Sequence, residues 1–160
     1  MRVVQHALMG ESSEIEHVYR VEALKMWRAI VGYSGSREIA DDAVAEAFTR
    51  ALRHEGSIRD LRAWTWRVAF RVAAAELRRR AEPDDEQVLY ELEPSPESLD
   101  LVAALRRLPE KQRVAVILHD YADRPTVDVA AILGCSVPTV YVHLSRARRR
   151  LREFLEVRDA

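Results

Sequence analysis

The amino-acid sequence predicts an all-α fold, in which two small helical domains are joined by an acidic linker and the C-terminal domain is a helix-turn-helix. Three observations support this prediction. Apolar residues recur at intervals of three and four along most of the chain, and no stretch alternates like a β-strand. An acidic, proline-rich segment interrupts this pattern at residues 81–99. Near the C-terminus only a few residues separate two helical segments, as in a helix-turn-helix.

The charged residues are unevenly distributed, although the whole chain carries a net charge of only −1. Residues 1–80 and residues 100–160 each carry +3, whereas residues 81–99 carry −7. The middle segment has no basic residue, and it contains three prolines, which interrupt helices. We therefore predict one domain at 1–80, a linker at 81–99 and a second domain at 100–160.

Three helices are predicted in the N-terminal domain from the spacing of its apolar residues. Glycines or a turn follow the first two helices, and an aspartate can cap the third. The predicted segments are residues 18–31, closed by Gly32 and Gly35; residues 36–54; and residues 61–80, capped by Asp60.

The third predicted helix has two apolar faces and a basic strip. The first face consists of Leu61, Trp64, Val68, Val72 and Ala75, the second of Trp66, Phe70 and Leu77, and the strip between them of Arg67, Arg71 and Arg78. Aromatic rings with arginines suit unpaired DNA, because bases stack on rings and cations follow the phosphates. The alternative is a central helix packed between two neighbours. It fits Trp64 at least as well, and it fits Trp66 and Phe70 equally well.

Four helices are predicted in the C-terminal domain, and the last two form the helix-turn-helix. The predicted segments are residues 101–108; a helix opened by Pro109 that reaches Tyr121; a short helix from Thr126 that ends at Gly134; and a long last helix capped by Ser136.

Helical geometry divides the last helix into two faces. Val140, Leu144, Ala147 and Leu151 are predicted to point inward, and Thr139, Val142, Ser145, Arg146 and Arg149 to point outward. Such an outward face suits the major groove of DNA, where arginine reads guanine and apolar groups contact thymine methyls. Further arginines, Arg148, Arg150 and Arg152, are available for phosphates. The alternative is a solvated helix end whose cations complement the helix dipole.

Several motifs occur in order on either side of the linker. They are ADDAVAEAFTRAL at residues 40–52; Arg62-Ala63-Trp64 followed by a helix that ends in Arg78-Arg79-Arg80; LPEKQR at 108–113; VAAILGCS at 129–136 with Thr139-Val140; and LSRARRRL at 144–151. In this order they resemble regions 2 and 4 of sigma-70 family RNA polymerase sigma factors, in particular the extracytoplasmic-function (ECF) group. The resemblance covers nearly the whole chain.

The resemblance implies a sigma factor that binds core RNA polymerase and directs initiation at promoter DNA. Core binding would involve Asp41, Asp42, Glu46 and Phe48 on the second helix. The minus-10 element would be bound and melted by residues 59–80, with Trp64, Trp66, Arg67, Phe70, Arg71 and Arg78 as candidates. The minus-35 duplex would be read by Ser136, Pro138, Thr139, Val142, His143, Ser145, Arg146 and Arg149. An anti-sigma factor is a further partner that the resemblance admits.

Catalytic, metal and cofactor sites are not expected. The five histidines are scattered, the single Cys135 has no ligand partner at metal spacing, and no nucleotide-binding or nucleophile motif occurs. No apolar run is long enough to span a bilayer, and the N-terminus does not resemble a signal peptide, so a cytoplasmic protein without membrane insertion or small-molecule substrate is expected. Two other functions remain open at this point: a stand-alone helix-turn-helix regulator with an N-terminal dimerisation or sensing module, and a helical interaction protein without DNA contact.

Overall fold

The computed structural model describes residues 13–80 and 96–159, which form seven α-helices and no β-strand. The all-α prediction is therefore confirmed. The chain divides into two compact units, Met1–Pro83 and Asp84–Ala160. Most of the predicted linker lies outside the described residues. Residues 96–99, the last four of the predicted linker, form the start of a helix, and a proline suits its first turn, where the missing N–H is not needed.

The N-terminal unit consists of α1 (Glu14–Ser34), α2 (Arg37–Arg53) and α3 (Leu61–Arg79). Each helix has a side-chain cap at its start, which satisfies one of the N–H groups left without a partner in the first turn. The cap–donor pairs are Ser13 Oγ with Glu16 N at 3.2 Å, Ser36 Oγ with Ile39 N at 3.2 Å, and Asp60 Oδ1 with Ala63 N at 3.0 Å. The predicted cap at Asp60 is confirmed.

The end of α1 differs from the prediction in one respect. Gly35 ends the helix in the left-handed conformation, with φ of 71°, and its N–H donates to the Val31 carbonyl at 2.8 Å. Gly32 lies inside α1 and does not close it, because the helix continues to Ser34. The Ser34 hydroxyl donates to the Ile30 carbonyl at 2.8 Å, and this bond satisfies a buried polar group in the last turn.

Helix α3 packs against both α1 and α2, and the structure shows which of its two predicted apolar faces is buried more deeply. Trp66, Ala69, Phe70 and Ala73 lie in the core. On the first face only Leu61 is buried, whereas Trp64, Val68 and Val72 are half-buried and Ala75 is exposed. The alanines at positions 69 and 73 explain the choice, since small side chains allow the neighbouring helices to approach closely on that side.

The C-terminal unit consists of α4 (Pro96–Arg107), α5 (Glu110–Val116), α6 (Thr126–Leu133) and α7 (Val137–Asp159). A π-helical turn, Ile117–Tyr121, continues α5, so the helix reaches Tyr121 as predicted. Helix α7 packs against α4, α5 and α6. The Arg107 guanidinium of α4 lies 3.8 Å from the centre of the Phe154 ring, a cation–π contact with α7.

Helices α6 and α7 form the predicted helix-turn-helix. Three residues join them, and the two axes are bent by 93°, within the range typical of this motif. Gly134 ends α6 with φ of 67°, and the Ser136 hydroxyl accepts from the N–H of Thr139 at 3.3 Å. The predicted roles of Gly134 and Ser136 are confirmed.

We expect Gly134→Ala to lower the free energy of unfolding of the C-terminal unit by about 1 kcal/mol. A Cβ at this position would meet no atom within 4 Å, so the cost arises from the left-handed backbone alone. Chemical denaturation measures it. Gly134→Asn is the control, since asparagine tolerates this conformation better and should cost less. Equal losses for the two variants would show that the backbone conformation is not the cause.

In the part of the chain that the structure describes, no single helix is both long and apolar enough to cross a membrane. Helices α6 and α7 together reach the length and hydropathy of a membrane span, but only as a pair that is bent at the turn between them.

Candidate nucleic-acid interface

The outer face of α7 consists of Pro138, Tyr141, Val142, Ser145 and Arg149, which follow the spacing i, i+3, i+4, i+7 and i+11 of one helix face. All five residues are exposed, and Tyr141 and Val142 retain 57% and 45% of their accessible surface. Val140, Leu144 and Ala147 are buried on the opposite side, and Leu151 is half-buried. The predicted inner face is confirmed for these three buried residues. On the predicted outer face Val142, Ser145, Arg146 and Arg149 are exposed, whereas Thr139 is half-buried.

The cations of α7 differ in their surroundings. Residues 137–152 contain five arginines and no acidic residue. Arg148 is bound within the unit, since its guanidinium donates to both carboxylate oxygens of Asp120 at 2.9 and 2.6 Å. Arg146 and Arg149 are exposed, and neither has an ion-pair partner among the described residues. Of these three arginines, only Arg146 and Arg149 present their charge to an approaching polyanion without first breaking an ion pair.

Three polar residues near the start of α7 are more constrained than the sequence suggested. The hydroxyls of Ser136 and Thr139 lie 2.9 Å apart, and Thr139 is half-buried. His143 is also half-buried, and its Nδ1 atom is enclosed without a hydrogen-bond partner in the described residues. Burial lowers the pKa of His143, and the nearby charges of Lys111 and Arg146 lower it further. His143 is therefore uncharged at neutral pH and adds no cation to the face.

Asp120 links the π-helical turn to α7. The two hydrogen bonds from Arg148 hold the pKa of Asp120 below its usual value, and a further bond from His119 Nδ1 at 2.8 Å acts in the same direction. Because the pKa is depressed in the folded state, this ion pair stabilises the fold at pH above the unfolded value of about 3.9. The stabilisation is lost as the pH falls through the folded pKa.

We expect Asp120→Asn to destabilise the C-terminal unit at pH 7 by no more than about 1 kcal/mol, since Arg148 and Asp120 are partly exposed. The difference between wild type and variant should shrink as the pH falls below about 4, where the carboxylate of the unfolded chain takes up a proton, and it should vanish once the folded carboxylate is protonated as well. Urea denaturation at pH 7 and at pH 3 measures it. A difference that stays constant with pH would contradict an ionic origin.

A second basic face lies on α3. Trp64, Arg67, Arg71 and Arg78 follow the spacing i, i+3, i+7 and i+14, so one side of the helix carries all four. Arg71 and Arg78 are exposed, and Arg67 and Trp64 are half-buried. The Trp64 ring centre lies 6.4 Å from that of His54, in an edge-to-face arrangement. This face combines one accessible aromatic ring with three cations.

Trp66 and Phe70 were also predicted to contact unpaired DNA, but the prediction that they are accessible is wrong. Trp66 is fully buried, its ring stacks on Phe70 with centres 6.2 Å apart, and Phe70 contacts Tyr33 at 5.6 Å. The indole N–H of Trp66 donates to Glu22 Oε2 at 3.0 Å. Both rings therefore belong to the core, as in the alternative of a central helix packed between neighbours.

The structure also shows a buried carboxylate that sequence reasoning missed. Glu22 of α1 lies in the core and binds both the Trp66 indole and the Arg62 guanidinium, which is itself half exposed. The sequence does indicate this burial, because Val18, Glu22 and Met26 recur at intervals of four residues, which places Glu22 on the buried face of α1. A buried carboxylate needs a cation or hydrogen-bond donors, which Arg62 and Trp66 provide.

The residues of α2 predicted to bind a protein partner are not all on the surface. Asp41 and Asp42 are exposed, and Asp41 Oδ1 accepts from the indole N–H of Trp27 at 2.8 Å. Glu46 is half-buried and accepts from Arg50 Nε at 2.6 Å. Phe48 is fully buried and meets the Tyr19 ring edge-on at 5.0 Å, so its predicted role as a surface contact is wrong. Phe48 lies on the apolar face of α2, and this face packs into the core.

Among residues 13–80 and 96–159, no three histidine, cysteine, aspartate or glutamate side chains converge in an arrangement that could hold a metal ion.

Known proteins resemble this chain in sequence over most of its length. Residues 98–151 match the family described as "Sigma-70, region 4". The chain is 34% identical to the ECF RNA polymerase sigma factor EcfG of Rhodopseudomonas palustris, over 81% of this chain and 78% of EcfG. It is 30% identical to the ECF RNA polymerase sigma factor SigM of Mycobacterium tuberculosis, over 91% of this chain and 79% of SigM.

Two solved structures share the fold. The sigma factor RpoE of Bartonella quintana, in complex with the anti-sigma factor NepR, matches with a TM-score of 0.75 and 24% identity, over 91% of this chain and 99% of RpoE. CnrH, in complex with the cytosolic domain of CnrY, matches with a TM-score of 0.73 and 21% identity, over 98% of this chain and 96% of CnrH. The sequence similarity to EcfG and SigM spans both helical units and is not confined to the helix-turn-helix. The chain therefore belongs to the ECF group of sigma-70 family sigma factors, non-enzymatic proteins that direct transcription initiation by RNA polymerase.

Proposed function

We propose that the C-terminal unit reads the minus-35 element of a promoter as duplex DNA and that α7 is the recognition helix. The observation that carries this proposal is the outer face of α7, which is exposed, lacks acidic residues and is followed by arginines. In a helix-turn-helix the first part of the second helix contacts base edges. Pro138, Val142 and Ser145 therefore face the bases, with Ser136 at the start of the helix, and Arg146 and Arg149 reach guanine or phosphate.

In the N-terminal unit, the basic face of α3 is proposed to bind the minus-10 element after strand separation. Trp64 offers an accessible ring on which an unpaired base can stack, and Arg67, Arg71 and Arg78 follow the phosphates along the same side. Opening needs no nucleotide hydrolysis in this scheme, because preferential binding of the separated strand shifts the equilibrium.

The acidic surface of α2 is proposed to bind core RNA polymerase. Asp41 and Asp42 project two exposed carboxylates from the second turn, and the half-buried Glu46, which is paired with Arg50, lies one turn later. The Trp27 indole orients the Asp41 carboxylate, which lowers the entropic cost of binding a cationic partner surface. Phe48 takes no part, because it is enclosed by the core.

An anti-sigma factor is the fourth proposed partner. The matching structure of the sigma factor RpoE contains the anti-sigma factor NepR, and that of CnrH contains the cytosolic domain of CnrY. A protein of the same fold offers a comparable surface, so this chain is expected to bind an anti-sigma factor.

The proposal is tested by adding the purified chain to core polymerase and measuring initiation on a library of genomic fragments. We expect specific transcripts only when both are present. Asp42→Arg should weaken association with the core, whereas the control Arg53→Asp, an exposed charge reversal at the end of the same helix, should have a smaller effect. Failure of the wild-type chain to bind the core would contradict the proposal. Tight binding to palindromic DNA without polymerase would instead indicate a stand-alone regulator.

A further inference from the structure

Most of the side chains that α7 offers to the bases are apolar. Pro138, Tyr141 and Val142 lie together on the outer face, at i, i+3 and i+4, and Ser145 is the next residue on that face. Tyr141 and Val142 are two of the large apolar residues that are exposed in the described chain. Exposed apolar side chains that lie side by side on one helix face form a patch, and removing water from this patch is favourable.

The position of this patch on α7 indicates which partner it contacts. It occupies the first two turns of α7, the part of a recognition helix that enters the major groove, and the exposed arginines follow it toward the C-terminal end of the helix. No acidic residue occurs between Val137 and Arg152, so no charge in this part of the helix repels a phosphate backbone. This charge pattern favours an anionic partner. Under the proposed function that partner is duplex DNA, and insertion of α7 into the major groove brings the patch against base edges.

The major groove offers one apolar group to such a patch. The C5-methyl of thymine is the only methyl group on the base edges of unmodified DNA there, and it is absent from the minor groove pattern. Ser145 is exposed beside the patch and can bond to a base edge, but the other polar side chains near the patch are constrained. The hydroxyls of Ser136 and Thr139 lie within hydrogen-bond distance of each other at the cap, and His143 is half-buried.

We propose that this sigma factor selects its minus-35 element in part by thymine methyl groups, which pack against Val142 and its neighbours Pro138 and Tyr141. This inference rests on the proposed function, since it requires that α7 enters the major groove. It assigns to Val142 the role of a specificity residue and leaves to Arg146 and Arg149 the contacts with guanine or phosphate.

The first step of the test is to find the bound sequence. The full chain, assembled with core polymerase, is used to select promoter fragments from a library with a randomised minus-35 segment. We expect an enriched sequence with at least one thymine, on either strand, at a constant position. Each thymine of that sequence is then replaced singly by uracil, which differs only in lacking the C5-methyl group.

With the wild-type chain, one of these replacements should weaken promoter binding about three- to fivefold, as expected for one buried methyl group. Val142→Ala should bind the thymine promoter about as weakly as the wild type binds the uracil promoter, and it should no longer distinguish the two. Val157→Ala is the matched control, because Val157 is a more exposed valine, at 78%, near the other end of the same helix. It should behave as the wild type. Circular dichroism of each variant verifies that the helices are retained.

Three results would overturn the inference. If no uracil replacement changes the affinity although the promoter is still bound, methyl groups are not read, while the proposed function stands. If Val142→Ala still distinguishes thymine from uracil, or if it impairs binding to the core polymerase and leaves promoter selection intact, then Val142 does not contact a methyl group. If no minus-35 sequence is enriched at all, reading of the duplex by α7 is itself wrong, and the inference fails with it.

Discussion

Replacing Trp66 with alanine should lower the free energy of unfolding of the N-terminal unit by about 3–5 kcal/mol. The ring is fully buried, stacks on Phe70 and donates its indole N–H to Glu22. Its removal would leave a cavity in the core and would also remove one of the hydrogen bonds that compensate the buried carboxylate. Urea denaturation followed by circular dichroism measures the loss.

Trp64→Ala is the matched control, since it removes the same side chain from the same helix two residues earlier. Trp64 is half-buried and lies on the basic face, so its removal should cost only about 1 kcal/mol of stability. Under the proposed function it should impair promoter opening more than duplex binding. Equal destabilisation by the two substitutions would contradict the difference in burial on which the assignment of these two tryptophans rests.

Replacing Arg146 with alanine should weaken binding of the minus-35 duplex by about 1–3 kcal/mol, roughly 5- to 150-fold, if its guanidinium meets a base edge. Arg146 is exposed, lies one turn beyond Val142 and has no ion-pair partner among the described residues. The measurement is the affinity of the assembled polymerase for promoter fragments that differ only in the minus-35 sequence, at fixed salt concentration. A loss of equal size on all sequences would identify Arg146 as a phosphate contact.

Arg148→Ala provides the comparison within the same helix. Its guanidinium is paired with both oxygens of Asp120, so its charge is already largely neutralised locally. We expect its removal to change DNA affinity by less than about threefold, since an exposed ion pair contributes little. If Arg148→Ala weakened binding as strongly as Arg146→Ala, Arg148 would have to leave Asp120 in the complex.

Periodicity and cap chemistry were sufficient to predict much of the fold. The start of α3 at Asp60, the turn at Gly134 and the cap at Ser136 are local features, since each depends on residues within one turn of the cap. The inner face of α7 was also predictable, because its continuous apolar stripe runs along one side of the helix and the arginines lie elsewhere.

The candidate site was predictable only in part. Helix α3 has two apolar faces, and sequence spacing ranks neither of them. Phe48 illustrates the same limit on α2: the motif that resembles the sigma family includes the ring, but the motif does not state whether the ring faces a partner or Tyr19.

By itself, the sequence determined that this protein is all-α, where most of its helices begin and end, and that its last helix bears a cationic outer face. These properties follow from hydrogen bonding and side-chain spacing along a few consecutive residues. Only the tertiary structure decided that Trp66 is a core residue and Trp64 is not, that Glu22 is buried against Arg62, and that Arg148 is paired with Asp120. Each of these depends on groups that are far apart in the chain. Trp66 and Glu22 are separated by 44 residues, and Arg148 and Asp120 by 28. Close packing of whole helices brings such groups together.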